Sequence, residues 1–221
     1  MTLTRKILWI VLVFLVLAGL PASFAADWTV RDANQNWTLR VSGEWYGGSY
    51  DQIQDRLAVL EQQKGAPPES VRILRTLGNM AKDIDAILLH IETSADNAHG
   101  NASFLKVKTM PTAGGKFPPI TGLDVATWNA LGKLFASNAG AEGAELVRHQ
   151  EDIVIEGNQV AAAGFKIKSA NRGERYIGVI VVYRPGRATM FNLDTPWQVS
   201  SARLDETWSM VRSVRFTDGK K

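Results

Sequence analysis

One stretch of the sequence constrains the fold more than any other. It reads Ile177-Gly178-Val179-Ile180-Val181-Val182 and has no polar residue at any position. A strand with one face in solvent alternates apolar and polar residues, and this stretch does not. It must therefore be covered on both faces. That requirement excludes a simple two-layer protein and favours helices on both sides of one sheet.

Three short turns predict how this strand is connected to its neighbours. Gly157-Asn158, Asn171-Arg172-Gly173 and Arg184-Pro185-Gly186-Arg187 each separate two runs of strand-forming residues. Glycine-containing turns at such short spacing are typical of antiparallel hairpins. The region 152–193 is therefore predicted to be an antiparallel meander.

The remaining elements follow from apolar periodicity. Residues at helical spacing predict four helices, at 51–64, from Pro68 onward, at 123–137 and through Leu204, Trp208 and Val211. Further apolar runs predict strands at 37–41, 84–91 and 103–109. Together these elements predict an α+β protein, a three-layer α/β/α sandwich with a central antiparallel sheet. We expect it to form a single domain over 26–221.

The first 25 residues are typical of an export signal. Arg5 and Lys6 precede the uncharged run 7–20, and Ser23-Phe24-Ala25 offers small residues at the −3 and −1 positions of a cleavage site. The alternative is a retained membrane anchor, because 7–26 is just long enough to span a bilayer. We expect an exported protein, periplasmic or extracellular, with anchoring through an uncleaved segment as the alternative.

Charge and composition exclude several classes of function. The chain has 25 basic and 22 acidic side chains, and two of the basic ones fall in the predicted signal. This near balance indicates no nucleic-acid partner. The chain has no cysteine, which excludes disulfides, iron–sulfur clusters, thiolate zinc sites and cysteine nucleophiles. We expect no cofactor.

The sequence carries no recognisable catalytic motif. It lacks the nucleophile turn Gly-x-Ser-x-Gly, the nucleotide-binding Gly-x-Gly-x-x-Gly, the P-loop and the metalloprotease His-Glu-x-x-His. We therefore predict a protein without catalytic residues. The alternative is an exported hydrolase with a convergent site around His90 or His149.

The three histidines are the candidates for a metal site. Hairpin geometry can bring His90 and His149 together, and Glu92 or Asp96 can add an oxygen ligand. His99 lies in the loop after the strand that carries His90. The simpler interpretation is structural, with one half-buried strand histidine, one loop histidine and one exposed strand histidine.

Aromatic residues at predicted turns are the candidates for partner binding. Trp45, Tyr46 and Trp197 lie at edges or turns, where they can form an exposed aromatic patch for a partner. The alternative is that they cap the ends of the sandwich. Arginines at two hairpin turns are interpreted as a solvated rim, because successive turns of a meander lie at opposite ends of the sheet: Arg172, Arg175, Arg184 and Arg187.

The order of elements resembles the PsbP-like fold. Trp37-Thr38-Leu39-Arg40-Val41 followed by Glu44-Trp45 is similar to its N-terminal strand and aromatic turn, and 208–216 is similar to its closing helix and strand. Known members include an extrinsic lumenal subunit of photosystem II, a Ran-binding nuclear-import factor and many exported bacterial proteins. The resemblance implies a non-catalytic binding or assembly module. We expect it to act on a protein partner at an envelope membrane, or as an accessory subunit of a membrane complex.

Overall fold

The computed structural model describes residues 27–32, 34, 36–63, 65–92, 102–112, 125–138, 141–169 and 172–217. The predicted signal at 1–25, together with Asp96 and His99, lies outside these residues. In the part of the chain that is described, no helix is long and apolar enough to cross a membrane.

A small antiparallel sheet joins the two ends of the described chain. Strand β1 (Trp28–Asp32) pairs with one edge of β2 (Trp37–Val41), and β10 (Arg215–Phe216) pairs with the other edge. The predicted strand at 37–41 is confirmed with the same bounds. The closing strand is extended by a bond from the Thr217 amide to the Asn36 carbonyl, 2.9 Å.

The main sheet has seven strands, and each described pair is antiparallel. The strands are β3 (Tyr46–Ser49), β4 (Ala86–Ile91), β5 (Ala102–Pro111), β6 (Ala141–Ile155), β7 (Asn158–Ser169), β8 (Gly173–Arg184) and β9 (Arg187–Pro196). Their order across the sheet is β3-β4-β5-β9-β8-β7-β6. The predicted meander is confirmed, because β6 to β9 are neighbours in sequence and in the sheet.

The described residues form four α-helices, α1 (Tyr50–Gln62), α2 (Pro68–Ala81), α3 (Val125–Asn138) and α4 (Ser200–Arg212). Ser49 and Gln52 form a capping box at the start of α1, in which each side chain satisfies a backbone amide of the other. Pro68 is the first residue of α2. An amide N–H at this position would have no hydrogen-bond partner within the helix, so its absence in proline costs nothing. The helices predicted from periodicity are confirmed.

The uniformly apolar run in β8 is covered on both faces, as predicted. Ile180 and Val182 join a cluster with Leu39 of the small sheet and Leu204 of α4. The odd-numbered positions of the run point the other way and join a cluster with Ala136 of α3. On that second face, α1 and α2 pack against β4 in a further cluster. Side chains of the small sheet and α4 therefore pack with β8 on one face, and α3 packs with β8 on the other.

The sequence Trp45-Tyr46-Gly47-Gly48-Ser49 is typical of a turn. That prediction is wrong, because strand β3 lies there. Gly47 has a φ of 122°, and a Cβ at this position would lie 2.1 Å from the carbonyl oxygen of Ile87 in β4. Gly47, which resembles part of a turn in the sequence, is required because β3 and β4 approach each other so closely at this position.

The predicted start of β6 at 152 is also wrong, because the strand begins at Ala141. Three register shifts interrupt its pairing with β7. These irregularities disturb the alternation of apolar and polar residues by which a strand is recognised in a sequence.

Candidate functional site

His90 lies where one face of the main sheet changes from apolar to polar. On that face Ala86 and Leu88 precede it along β4, and both are fully buried. His90 is paired across the sheet with Ser103 of β5, whose hydroxyl bonds to that of Thr195 in β9 at 2.7 Å. The last row of side chains on this face is therefore both buried and hydrophilic.

Glu92, just after β4, is a buried carboxylate surrounded by donors. Arg203 of α4 donates from Nε to Oε1 at 2.8 Å and from Nη2 to Oε2 at 3.1 Å, and the Ser103 hydroxyl donates to Oε1. Burial alone raises the pKa of Glu92, but the adjacent His90 and the hydrogen bonds from Arg203 and Ser103 outweigh it and lower the pKa to about 2. Glu92 is therefore ionised at neutral pH.

Arg203 connects Glu92 to a second carboxylate on its own helix. Its Nη1 donates to Glu206, one turn further along α4. Glu206 in turn accepts a hydrogen bond from the indole Nε1 of Trp45 at 2.9 Å. Burial lowers the pKa of Arg203, but the two carboxylates outweigh it and raise the pKa above its ordinary value. These contacts tie α4 to the turn that precedes β3.

The His90 imidazole lies between two carboxylates. Its Nε2 is 3.2 Å from Oε2 of Glu44, and its Nδ1 is 3.2 Å from Oε1 of Glu92. The side chain of Glu44 is 73% exposed, whereas that of His90 is 9% exposed. Burial lowers the pKa of His90, but the contacts with Glu92 and Glu44 raise it by more, so the net direction is upward. We define the His90 cluster as Glu44, Trp45, His90, Glu92, Ser103, Arg203 and Glu206.

A second buried ion network lies at the same end of the sheet on the opposite face. Arg175 of β8 is 1% exposed, and it donates to Asp194 of β9 and to the carbonyl of Ala102. Arg172 donates to the other oxygen of Asp194 at 2.7 Å. Burial lowers the pKa of Arg175, against the opposing effect of Asp194. We call Arg172, Arg175 and Asp194 the Arg175 cluster.

The arginines at the other end of β8 and β9 are also partly or fully buried. Arg184 is 7% exposed, donates to the Thr189 hydroxyl at 3.1 Å, and has its guanidinium carbon 4.0 Å from the centre of the Phe216 ring. Arg187 is half-buried. The predicted separation of the arginines to opposite ends of the sheet is confirmed. Their interpretation as a solvated rim is wrong at Arg175 and Arg184, which are buried.

The structure separates the two histidines that were predicted to share a metal ion. His149 is exposed on β6, and four strands lie between β4 and β6. At about 4.8 Å per strand the two residues are about 24 Å apart. The predicted pairing of His90 with His149 is therefore wrong. Within the described ranges, no group of three or more metal-ligating side chains is placed to hold an ion.

The three predicted partner-binding aromatic residues have different environments. Trp45 is fully buried, so the prediction that it is exposed is wrong. Tyr46 is half-buried on β3, and burial raises its pKa. Trp197 is half-buried in a 3₁₀ turn (Trp197–Val199), with the Lys166 ammonium 4.7 Å from its ring centre. A role for Tyr46 and Trp197 in partner binding stays a prediction.

The sequence singled out His90 and Glu92 but did not predict their contacts with Glu44, Ser103 and Arg203. A histidine and a glutamate directly after the apolar Ala86-Ile87-Leu88-Leu89 indicate buried charge, which needs partners. That pattern indicates that the buried charges need partners, but it does not indicate which residues supply them. Arg203 is 111 positions from Glu92, and nothing in its local sequence distinguishes it from an ordinary helical arginine.

The structure is similar to the solution structure of cyanobacterial PsbP (CyanoP) from Synechocystis sp. PCC 6803. The similarity covers 89% of this chain and 95% of that chain, with a TM-score of 0.55 and 14% sequence identity. The chain has a PsbP-like fold. This similarity confirms the fold that the order of elements predicted. A sequence identity of 14% supports the fold alone.

Another solved structure shares less with this PsbP-like chain. It is a protein of unknown function from Pseudomonas aeruginosa, described as a putative regulator, with 12% identity and a TM-score of 0.37 over 58% of this chain and 81% of that chain. This similarity is too low to support an argument about fold. No protein-family model matches the sequence, and no curated protein matches it.

Proposed function

We propose that this chain is an exported, non-enzymatic domain that binds or assembles with a protein partner at an envelope membrane. The observation that carries the proposal is the PsbP-like fold, which extends over 89% of the chain. The signal-like segment at 1–25 supports the location. Because a fold does not determine a partner, the identity of that partner is left to the experiment below.

The contacts of the His90 cluster support a binding role over the hydrolase alternative. Ser103 is fully buried, and its hydroxyl is bonded to Glu92 and Thr195. A nucleophile has to reach its substrate, which this hydroxyl does not do. Glu92 is ionised and held by Arg203, so it has no proton to donate as a general acid at neutral pH.

The proposal includes a three-layer arrangement around the main sheet. Apolar clusters on both faces support it, one formed with the small sheet and α4 and the others with α1, α2 and α3. Such an arrangement leaves loops, helix surfaces and sheet edges for contact with a partner.

An accessory subunit of a membrane complex, held by an uncleaved N-terminal helix, is the second candidate. The feature that favours it is the uncharged segment 7–26, whose length suits a membrane span. The two candidates share a protein partner and differ in how the domain is held at the membrane.

The deciding experiment is a mild-detergent pull-down of the tagged full-length protein, with its N-terminus read by mass spectrometry. Co-purification of a defined protein with a bait that starts at Ala26 is the expected result. The same partner with an intact N-terminus would indicate the anchored subunit. Turnover of a substrate in a hydrolase panel, lost in His90→Ala or His149→Ala, would overturn both.

Two matched variants locate the binding surface in the same experiment. Trp197→Ala removes a half-buried aromatic ring from the predicted patch, whereas Tyr50→Ala removes a 38% exposed ring from the start of α1. We expect partner recovery to fall with the first variant and to persist with the second. Equal recovery with both, at unchanged melting temperature, removes Trp197 from the binding surface.

A further inference from the structure

We propose that His90 acts as a proton-operated clasp, which holds Glu44 against the main sheet when the imidazole is protonated and releases it to solvent when the imidazole is neutral. This inference goes beyond the proposed function and does not depend on it. It relates the position of the exposed Glu44 carboxylate to the protonation of His90.

The two ring nitrogens of His90 face two different carboxylates. Each nitrogen of His90 lies 3.2 Å from a carboxylate oxygen, Nε2 from Glu44 and Nδ1 from Glu92. A neutral imidazole has one N–H donor and one acceptor, whereas an imidazolium has two donors. A carboxylate oxygen only accepts while it is ionised. Only a protonated ring therefore presents an N–H to both carboxylates. The Nε2 contact with Glu44 has hydrogen-bond geometry, whereas the Nδ1 contact with Glu92 is an ion pair without hydrogen-bond alignment.

Deprotonation of His90 removes one of these two contacts, and the exposure of the two carboxylates determines which one. The Glu92 side chain is 3% exposed and the Glu44 side chain is 73% exposed. A ring lone pair facing a buried ionised carboxylate at 3.2 Å is repelled strongly, because little water screens the two groups, whereas an exposed carboxylate turns to water at little cost. The remaining proton therefore stays on Nδ1 towards Glu92, and the lone pair of Nε2 repels Glu44.

The groups that surround His90 favour its protonated form. Three of them carry negative charge and one carries positive charge. Burial lowers the pKa of His90, and the two adjacent carboxylates raise it to a net value above the ordinary one. The groups on the neighbouring elements are Glu44 and the Trp45 ring from the turn, Glu92 after β4, Ser103 from β5, and Arg203 and Glu206 from α4.

Movement is expected at the tip of the turn and not at its base. The turn joins β2 of the small sheet to β3 of the main sheet, and it is closed by a bond from the Trp45 amide to the Ser42 carbonyl at 3.1 Å. Trp45 is fully buried and bonded to Glu206, so it stays in place. Gly43 and Glu44, at the tip, respond to the charge on His90.

The test is an NMR pH titration of the full chain labelled with ¹³C and ¹⁵N. The ring resonances of His90 report its protonation, and the Glu44 carboxyl carbon and the Gly43 amide report the clasp. We expect the two turn signals to change with the same midpoint as His90, above pH 6.5. In Glu44→Gln the His90 midpoint moves to lower pH, because one of the two carboxylates is gone.

His149→Gln is the matched control, since it removes an exposed histidine on a distant strand and leaves the His90 cluster intact. It must leave the His90 midpoint and the turn signals unchanged. In His90→Gln the coupled change at Gly43 and Glu44 must disappear. The clasp is refuted if the turn signals do not change through the His90 titration, or if the His90 midpoint in Glu44→Gln equals that of the wild type.

Discussion

Two buried ion networks lie at one end of the main sheet, on opposite faces. The Arg175 cluster joins a guanidinium that is 1% exposed to Asp194, and it contains no histidine. The His90 cluster joins Glu92 to Arg203 in a similar way, but it also contains an imidazole. One end of the sheet therefore holds a charge network with a histidine beside a network without one.

The networks also differ in how they reach solvent. The Arg175 cluster is linked to the surface by Arg172, whose side chain is 33% exposed. The His90 cluster is linked by Glu44, which is 73% exposed and contacts the titrating group itself. A change in the charge of His90 therefore acts directly on an exposed residue.

Loss of Arg203 is expected to have the largest effect. Arg203→Met leaves the Glu92 carboxylate buried without its guanidinium, and removing one partner of such a pair lowers the free energy of unfolding by about 4 kcal/mol. Urea denaturation measures the change. Arg72→Met is the control, because its pair with Glu69 is on the surface, and we expect no measurable change. A loss of less than about 1 kcal/mol in Arg203→Met would show that water can replace the guanidinium.

Asp194→Asn tests the other network and is expected to cost about 3 kcal/mol, since it removes the carboxylate that contacts the buried Arg175 guanidinium. The cost is smaller because the Ala102 carbonyl still accepts from Arg175. Measured by urea denaturation at pH 6 and pH 8, the loss should be the same. A clear difference between the two pH values would show that the Arg175 cluster is coupled to a titrating group, which contradicts the comparison.

The layout of the fold was predictable because covering both faces of a strand is a strong constraint. The uninterrupted run Ile177-Gly178-Val179-Ile180-Val181-Val182 predicted coverage on both faces, and three glycine-containing turns predicted the meander. The start of β6 and the strand β3 were not predicted, since register shifts hide the first and Gly47-Gly48 disguises the second.

The candidate site was predictable only in part, for a different reason. His90 and Glu92 were noticed because polar residues adjoin an apolar strand. Their partners come from a turn far upstream and from α4 far downstream, and side-chain chemistry alone does not select one arginine or glutamate among many. The predicted pairing of His90 with His149 is wrong because it required β4 and β6 to be close together, and four strands separate them.

Stability should depend on pH through His90. A histidine whose pKa is raised in the folded state stabilises the fold fully below its unfolded pKa, near 6.5, and this contribution is lost as pH rises through the folded value. The wild-type free energy of unfolding should therefore fall above about pH 6.5. Urea curves across this range should show the same fall in His149→Gln and a smaller fall in His90→Gln. Equal slopes in all three proteins would contradict the assignment.

Glu44→Gln should have the smallest effect, and its dependence on pH matters more than its size. Glu44 is 73% exposed, so the loss in unfolding free energy below the His90 pKa should be no more than about 0.5 kcal/mol. Above that pKa the wild-type contact is already broken, and the variant should equal the wild type. A loss that persists at high pH would mean that Glu44 is held by something other than the charge on His90, so the second network would be as insensitive to pH as the first.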